Sequence, residues 1–383
     1  MDAHTAPRVT LVHDWLTGMR GGEKCLEPLC RRWPHAKLLT LLHKPGSVSA
    51  DIESLGPRAS FLNLLPGVER YYRYLLPLMP AAMAALRVPP SDLVVSFSHC
   101  VAKNVRARHG VPHVSYCFTP IRYAWHMRES YFAERVRGIK ARLLERFLGL
   151  VRAWDRHTAA NVTHFIAISE TIRRRIADCY GRESTVIYPP VDTDFYHPAP
   201  VPREDFYLVV SAFAPYKRLD LAVAACQRLG RPLVVIGTGQ DADRLRSLAG
   251  PDTRFLGWQP DEVIRDHLRR CRALLFPGEE DFGIVPVEAM ACGAPVIAFG
   301  RGGATETVVP TGGRSEPTGL WFAEQTEFSL ADALLRFDVC AADFAPAAAR
   351  RQALRFNAHR YRVELFDFLD GVLRPAVPVR RAA

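Results

Sequence analysis

The sequence has no apolar run long enough to cross a bilayer. Its most apolar charge-free stretch, Tyr74 to Leu86, holds 13 residues broken by Pro77 and Pro80, whereas a spanning helix needs about 20. No Cys-x-x-Cys pair occurs among the nine cysteines, which removes the commonest zinc and dithiol signatures. The cysteines stand singly in apolar or helical segments and predict reduced, buried thiols in a cytosolic protein. Nothing apolar separates Met1 from the first strand, so no secretory signal is expected. Short-period repeats and low-complexity tracts are absent too, which excludes solenoids and fibrous or disordered chains.

What is present is an ordinary globular composition: 383 residues, 48% hydrophobic and 23% charged. That length favours two domains of about 150 to 200 residues. The 50 Lys and Arg against 40 Asp and Glu give +10, but the excess is one-sided. Residues 1–190 carry 27 basic and 15 acidic side chains, and residues 191–383 carry 23 and 25. A basic half suits an anionic partner: nucleic acid, an anionic membrane or a phosphorylated substrate.

The first half alternates short apolar strands with longer helical patterns. Strands are predicted at Val9–His13, Lys37–Leu42, Leu93–Phe97, His113–Cys117, Thr163–Ile168 and Thr185–Tyr188, and helices from near Gly22, His99, Ala133 and Ser169. Five prolines between Tyr188 and Pro202 predict a semi-rigid linker. The alternation then restarts, with strands at Tyr207–Ser211, Leu233–Ile236, Leu274–Phe276 and Pro295–Ala298. Helices are predicted from Lys217 and over Asp241–Ala249, Pro260–Cys271, Val285–Cys292 and the tail Ala347–Leu373. The pattern is α/β, with two doubly wound Rossmann-like domains whose ligands are expected in the cleft at the carboxyl ends of their strands.

One segment is rich in chemistry: Glu279-Glu280-Asp281-Phe282-Gly283-Ile284-Val285-Pro286-Val287-Glu288, which joins an apolar strand to a helix. A glycine at such a turn exposes backbone N–H groups, and a helix N-terminus favours phosphate. The flanking carboxylates can accept hydrogen bonds from sugar hydroxyls. The plainer alternative is an acidic surface loop. Lys217, at a predicted helix start, opposes the helix dipole and needs an anion to offset it. Gly237-Thr238-Gly239-Gln240-Asp241-Ala242 fits the dinucleotide pattern G-x-G-x-x-A and leaves a nicotinamide-dependent enzyme open. Asp192-Thr193-Asp194 looks like a metal pair but sits among the prolines, where a turn is expected.

The Glu280 to Glu288 spacing, with Phe282-Gly283-Ile284 between, resembles the signature of the retaining GT-B glycosyltransferases of family 4. So do Ala289-Met290-Ala291-Cys292-Gly293-Ala294-Pro295-Val296-Ile297, Gly21-Gly22-Glu23, Pro189-Pro190-Val191-Asp192, Pro215-Tyr216-Lys217-Arg218, Phe255-Leu256-Gly257 and Gly302-Gly303-Ala304-Thr305-Glu306, in the family's order. The resemblance implies an acceptor-binding domain over 1–190, a nucleotide-sugar-binding domain over 191–355, and a C-terminal helix over 356–383 packing back toward the first domain.

It implies that Lys217 neutralises the donor diphosphate with Arg218 as helper, that Glu280 binds the transferred sugar near the reacting carbon, and that Glu288 holds the donor ribose. Amides of Gly283, Ile284 and Val285 line the sugar and phosphates, and Gly21 and Gly22 let a loop close on the diphosphate. The leaving phosphate takes the acceptor proton, so no protein nucleophile is needed, and Lys217 with helix N-termini offsets the leaving diphosphate, so no metal is required. Two positions depart from the family: Ala212 where an arginine is frequent, and Phe118 where a histidine approaches the donor sugar. His99 is the expected substitute for that histidine, and Arg122 and Tyr123 are expected acceptor or phosphate contacts.

The variant of the motifs is similar to bacterial exopolysaccharide and lipopolysaccharide mannosyltransferases. This implies GDP-mannose as donor, a polyprenyl-diphosphate-linked saccharide as acceptor, and work at the cytoplasmic face of the cell membrane. The interleaved basic and apolar residues of 121–160, with Arg173-Arg174-Arg175 and the proline-broken Phe61–Leu86 stretch, suit an anionic membrane surface. Nucleic-acid signatures do not accompany the charge. An inactive sugar-nucleotide-binding partner is the alternative that Ala212 and Phe118 leave open.

Overall fold

Strands buried on both faces and rich in Val, Leu and Ile build two parallel sheets. The structure, a computed structural model, describes residues 6–126, 138–313 and 315–374. Two compact units emerge, Met1–Tyr188 with Tyr361–Ala383, and Pro189–Arg360. In the first, β1 (Val9–Leu16), β2 (Lys37–His43), β3 (Arg58–Ala59), β4 (Leu93–Ser98), β5 (His113–Cys117), β6 (His164–Ala167) and β7 (Ser184–Val186) lie in the order β3-β2-β1-β4-β5-β6-β7. All six side chains of β4 are buried, as its central place requires. The last helix, Ala358–Leu373, is tied to this unit: Tyr361 Oη donates to the Cys25 carbonyl at 2.8 Å and Arg32 pairs with Asp370 at 2.6 Å.

The second unit repeats the plan. Its strands β8 (Tyr207–Val210), β9 (Leu233–Ile236), β10 (Thr253–Gly257), β11 (Ala273–Phe276), β12 (Val296–Phe299) and β13 (Gly319–Phe322) lie in the order β10-β9-β8-β11-β12-β13. Every neighbouring pair in both sheets is parallel. In each sheet the order reverses once, between β1 and β4 and between β8 and β11. Such a switch point opens a crevice at the carboxyl ends of the two strands, where ligands of open α/β sheets bind.

Four expectations are corrected. No helix starts near His99; after β4 the chain makes a short 3₁₀ turn, Ala102–Asn104, because a carboxylate from β1 claims its amides, as described below. Pro215–Lys217 is also a 3₁₀ turn, and the α-helix begins at Leu219. The tail is two helices, Pro346–Leu354 and Ala358–Leu373. The proline-rich stretch is packed rather than a spacer: Val191 N donates to Phe356 O at 2.9 Å, and Arg350 reaches the carbonyls of Thr193 and Tyr196 at 2.8 and 2.7 Å. The helix expected near Ala133 begins outside the described residues, which resume ahead of the helix Ile139–Ala159.

Candidate functional site

In the second unit, Lys217 follows β8 and Glu280 follows β11, so the two flank the switch point. Their ammonium and carboxylate form an ion pair, with Lys217 21% and Glu280 10% exposed. Lys217 Nζ also lies 5.4 Å from the Tyr216 ring centroid, a second favourable contact for a cation. A small crevice there is lined by Ser211, Lys217, Phe276, Pro277, Gly278 and Glu280, among others. Gly278 sits under Lys217: a Cβ there would lie 3.1 Å from the Lys217 carbonyl oxygen.

The loop carrying Glu280 is clamped by the loop after β12. Gly303 N donates to Glu280 O at 2.7 Å, and a Cβ on Gly303 would lie 2.3 Å from Phe282 Cα. Only glycine permits this approach. The chain then turns through Gly283 into the helix Ile284–Ala291, whose first turn has no side-chain cap and is partly exposed at Gly283, Ile284 and Val285. Those amides are available to an anion or a hydroxyl. Glu288 is one turn further along, buried, and close enough to Tyr196 for its charge to help raise that phenol's pKa, behind the larger effect of burial.

Arg218 is the one non-glycine with positive φ among the described residues, at φ 52°. A left-handed side-chain residue costs about 1–2 kcal/mol, and such strain concentrates at functional turns. Its guanidinium is turned onto Asp220 at 3.2 and 3.3 Å. The Gly237 and Gly239 pair has a structural explanation: Cβ atoms there would lie 1.9 Å from Ser211 O and 2.3 Å from Phe213 O. The loop follows β9, not the unit's first strand β8, after which a dinucleotide motif belongs. Asp192 closes a turn, accepting from Phe195 N at 3.0 Å. No group of metal-binding side chains occurs among the described residues.

In the first unit the corresponding switch point is lined by the ends of β1 and β4. Asp14, fully buried at the end of β1, accepts four backbone N–H bonds: from His99 (2.7 Å) and Cys100 (2.9 Å) on Oδ2, and from Val101 and Ala102 (both 2.7 Å) on Oδ1. The same Oδ2 lies 3.2 Å from His99 Nδ1. Beneath this loop, buried Lys103 donates to Cys100 O at 2.9 Å and pairs with Asp155 at 2.7 Å. The His99 ring stands edge-on to Trp15 at 4.2 Å and 6.1 Å from Phe118. Burial among these rings pushes the His99 pKa down, Asp14 opposes, and His13, Arg122 and Arg20 add to the fall.

Gly21 and Gly22 open the helix Gly21–Arg32 beside this cluster, and Glu23 accepts from Arg20 N at 3.1 Å. A Cβ on Gly22 would lie 3.2 Å from His13 Nε2 and 3.5 Å from the Phe118 ring. His99, Phe118, Gly22 and Arg122 therefore gather in one place, and Tyr123 spends its hydroxyl on Cys100 Sγ at 3.2 Å. Sequence reasoning missed His13 and Asp14. The available signal was two polar residues, His-Asp, inside an apolar strand that ends beside a Gly-Gly pair.

Residues 7–195 match the family described as Glycosyltransferase Family 4, and residues 192–338 that described as Glycosyl transferases group 1. Among curated relatives, the chain is 32% identical over 206 residues to a D-inositol 3-phosphate glycosyltransferase of Kineococcus radiotolerans, covering 44% of this chain and 47% of that protein. It is 30% identical over 172 residues to a GDP-mannose-dependent alpha-(1-6)-phosphatidylinositol monomannoside mannosyltransferase of Mycobacterium tuberculosis, covering 37% and 45%. The chain thus spans about half the length of the curated relatives it matches. The fold is similar to that of Anabaena HepE, solved in complex with UDP, with TM-score 0.66 at 18% identity over 95% of this chain and 100% of that one.

Proposed function

From a chain that carries a Glycosyltransferase Family 4 domain and a Glycosyl transferases group 1 domain on the GT-B fold, we propose a retaining glycosyltransferase that moves a hexose from a nucleoside diphosphate sugar to a hydroxyl acceptor. The observation that carries this is the Lys217–Glu280 pair at the second switch point, beside the uncapped turn at Gly283. A cation and free amides suit a diphosphate, and a buried carboxylate suits sugar hydroxyls.

In the reaction the bond from the sugar's C1 to the phosphate oxygen breaks and its electron pair leaves with the diphosphate. Lys217, helped by Arg218 and the amides of Ile284 and Val285, offsets that charge, so no metal is assigned a role. The acceptor oxygen bonds C1 on the same face, and its proton passes to the leaving phosphate. Glu280 holds the sugar hydroxyls, Glu288 the ribose, and His99 is the first unit's contribution to substrate.

GDP-mannose is the proposed donor, supported by the mannosyltransferase named among the relatives. The proposed acceptor is a polyprenyl-diphosphate-linked saccharide of exopolysaccharide or lipopolysaccharide assembly, met at the cytoplasmic face of an anionic membrane. Exposed Leu64, Tyr74, Leu143 and Leu150 in the basic first unit support that surface. No helix among the described residues is long and apolar enough to cross a membrane. A thermal-shift panel of GDP-, UDP-, ADP- and dTDP-sugars tests the donor class. At a hundredfold excess over the dissociation constant the right sugar nucleotide stabilises by about 2.7 kcal/mol, and no shift with any of them would overturn the proposal.

A further inference from the structure

We propose that Asp14 is a positioning residue that presents His99 to the substrate as a neutral imidazole with its lone pair on Nε2, an acceptor for a sugar hydroxyl. This rests on the function proposed above and names a residue and a tautomer within it. Asp14 is fully buried, and its two oxygens accept the amides of residues 99 to 102 at 2.7 to 2.9 Å. Those four bonds set the path of the chain that carries His99. Oδ2 then lies 3.2 Å from His99 Nδ1, within hydrogen-bonding reach.

A carboxylate can only accept, so a ring nitrogen 3.2 Å from it is the one that carries the proton, which leaves the lone pair on Nε2. The ring is held on its other sides by Trp15 and Phe118, yet its side chain stays 30% exposed at the carboxyl end of β4. The charged and titratable groups facing it are His13 and Asp14 from β1, Arg20 ahead of the Gly21–Arg32 helix, and Arg122 after β5. Burial lowers the ring's pKa to about 4, against the pull of Asp14 and with smaller help from His13, Arg122 and Arg20, so the ring is unprotonated at neutral pH. An unprotonated nitrogen suits a neutral hydroxyl better than a phosphate oxygen, which offers it no proton.

The test uses the full chain labelled with [15N]histidine. The His99 signals, assigned by their loss in His99→Gln, should show a protonated Nδ1 and a pyridine-like Nε2. A protonated Nε2 or an imidazolium at neutral pH would overturn the proposal. Nucleoside diphosphate release from GDP-mannose and UDP-glucose supplies the functional half. His99→Ala, which leaves the Asp14 amide bonds in place, should lower kcat/KM about tenfold to a hundredfold, and His99→Gln, with an acceptor oxygen near the Nε2 position, should recover part of it.

Asp14→Asn should reverse the tautomer, since an amide can donate to Nδ1, and should lower kcat more than it raises the donor KM. If that variant fails to fold, the wild-type tautomer and the His99 variants still decide. Full activity in His99→Ala overturns this inference alone. A wild type that binds neither nucleotide sugar in calorimetry overturns the proposed function instead.

Discussion

Lys217, after the first strand of the second sheet, rests its ammonium on the carboxylate of Glu280, after the fourth. Each side chain thereby keeps a partner in a half-buried crevice, and both charges stand at the one place where the strand order reverses. A diphosphate arriving there would compete with Glu280 for Lys217.

Glu280→Gln separates the two roles. It removes the charge that holds Lys217 but keeps a polar group beside the sugar. Turnover should fall by about 10²- to 10³-fold, while donor affinity stays the same or rises because Lys217 loses its competing partner. Donor-sugar turnover together with titration calorimetry checks both, and an unaffected rate would remove Glu280 from the chemistry.

The clamp between the loops after β11 and β12 gives a stability prediction. A Cβ on Gly303 would lie 2.3 Å from Phe282 Cα, backbone that cannot swing aside, whereas nothing lies within 4 Å of the same atom on Gly312. Gly303→Ala should cost more than about 3 kcal/mol, through the displaced loop. Gly312→Ala should cost only about 1 kcal/mol, from its φ of 86°. Chemical denaturation of the two variants compares them directly.

Acid should weaken the first unit before its carboxylates protonate. His113, fully buried on β5 with Nε2 2.8 Å from Ser96 Oγ, is lowered by burial from 6.5 to about 4. Between those values the unfolded chain binds a proton that the folded one refuses, so stability falls as pH drops from 6.5 toward 4 and is undiminished above 6.5. His113→Gln should lessen the slope of unfolding free energy against pH in that window, leaving the share that His99 contributes. An unchanged slope would assign it to other groups.

Much of this was legible in the sequence. The buried central strands β1, β4, β5 and β8 are short, mostly apolar runs bounded by turn residues, and the Glu280 to Glu288 segment carries its own strand-turn-helix signal. The edge strand β10 was not legible, because Thr253-Arg254-Phe255 is half-exposed and lacks an apolar run. Strand β13 begins at Gly319, where the β12 backbone comes too close for any side chain. The helix Glu327–Cys340, capped by Thr326 and burying Leu330, Leu334 and Phe337, has a readable period. Asp14 was hidden for another reason: its four amide partners lie more than 80 residues away, and no local pattern announces them.

Membrane association can be tested on exposed side chains alone. Leu64, Tyr74 and Leu150 are 83%, 84% and 70% exposed, so their replacement by Ser should leave the melting temperature nearly unchanged. Co-sedimentation with phosphatidylglycerol-containing vesicles should fall in the triple variant and on raising salt. Equal binding by wild type and variant would move the contact elsewhere, and no binding by either would remove the membrane from the proposal.

The central claim is that the carboxyl edge of the second sheet holds a sugar nucleotide by its diphosphate on Lys217. Titration calorimetry of wild type and Lys217→Ala with GDP-mannose, UDP-glucose and NAD tests it most directly. A sugar nucleotide should bind the wild type, and Lys217→Ala should lose about 1.5–3 kcal/mol of that affinity, the contribution of one charge-assisted hydrogen bond. Equal affinity in the two proteins, or binding of NAD in preference to both sugar nucleotides, would contradict it.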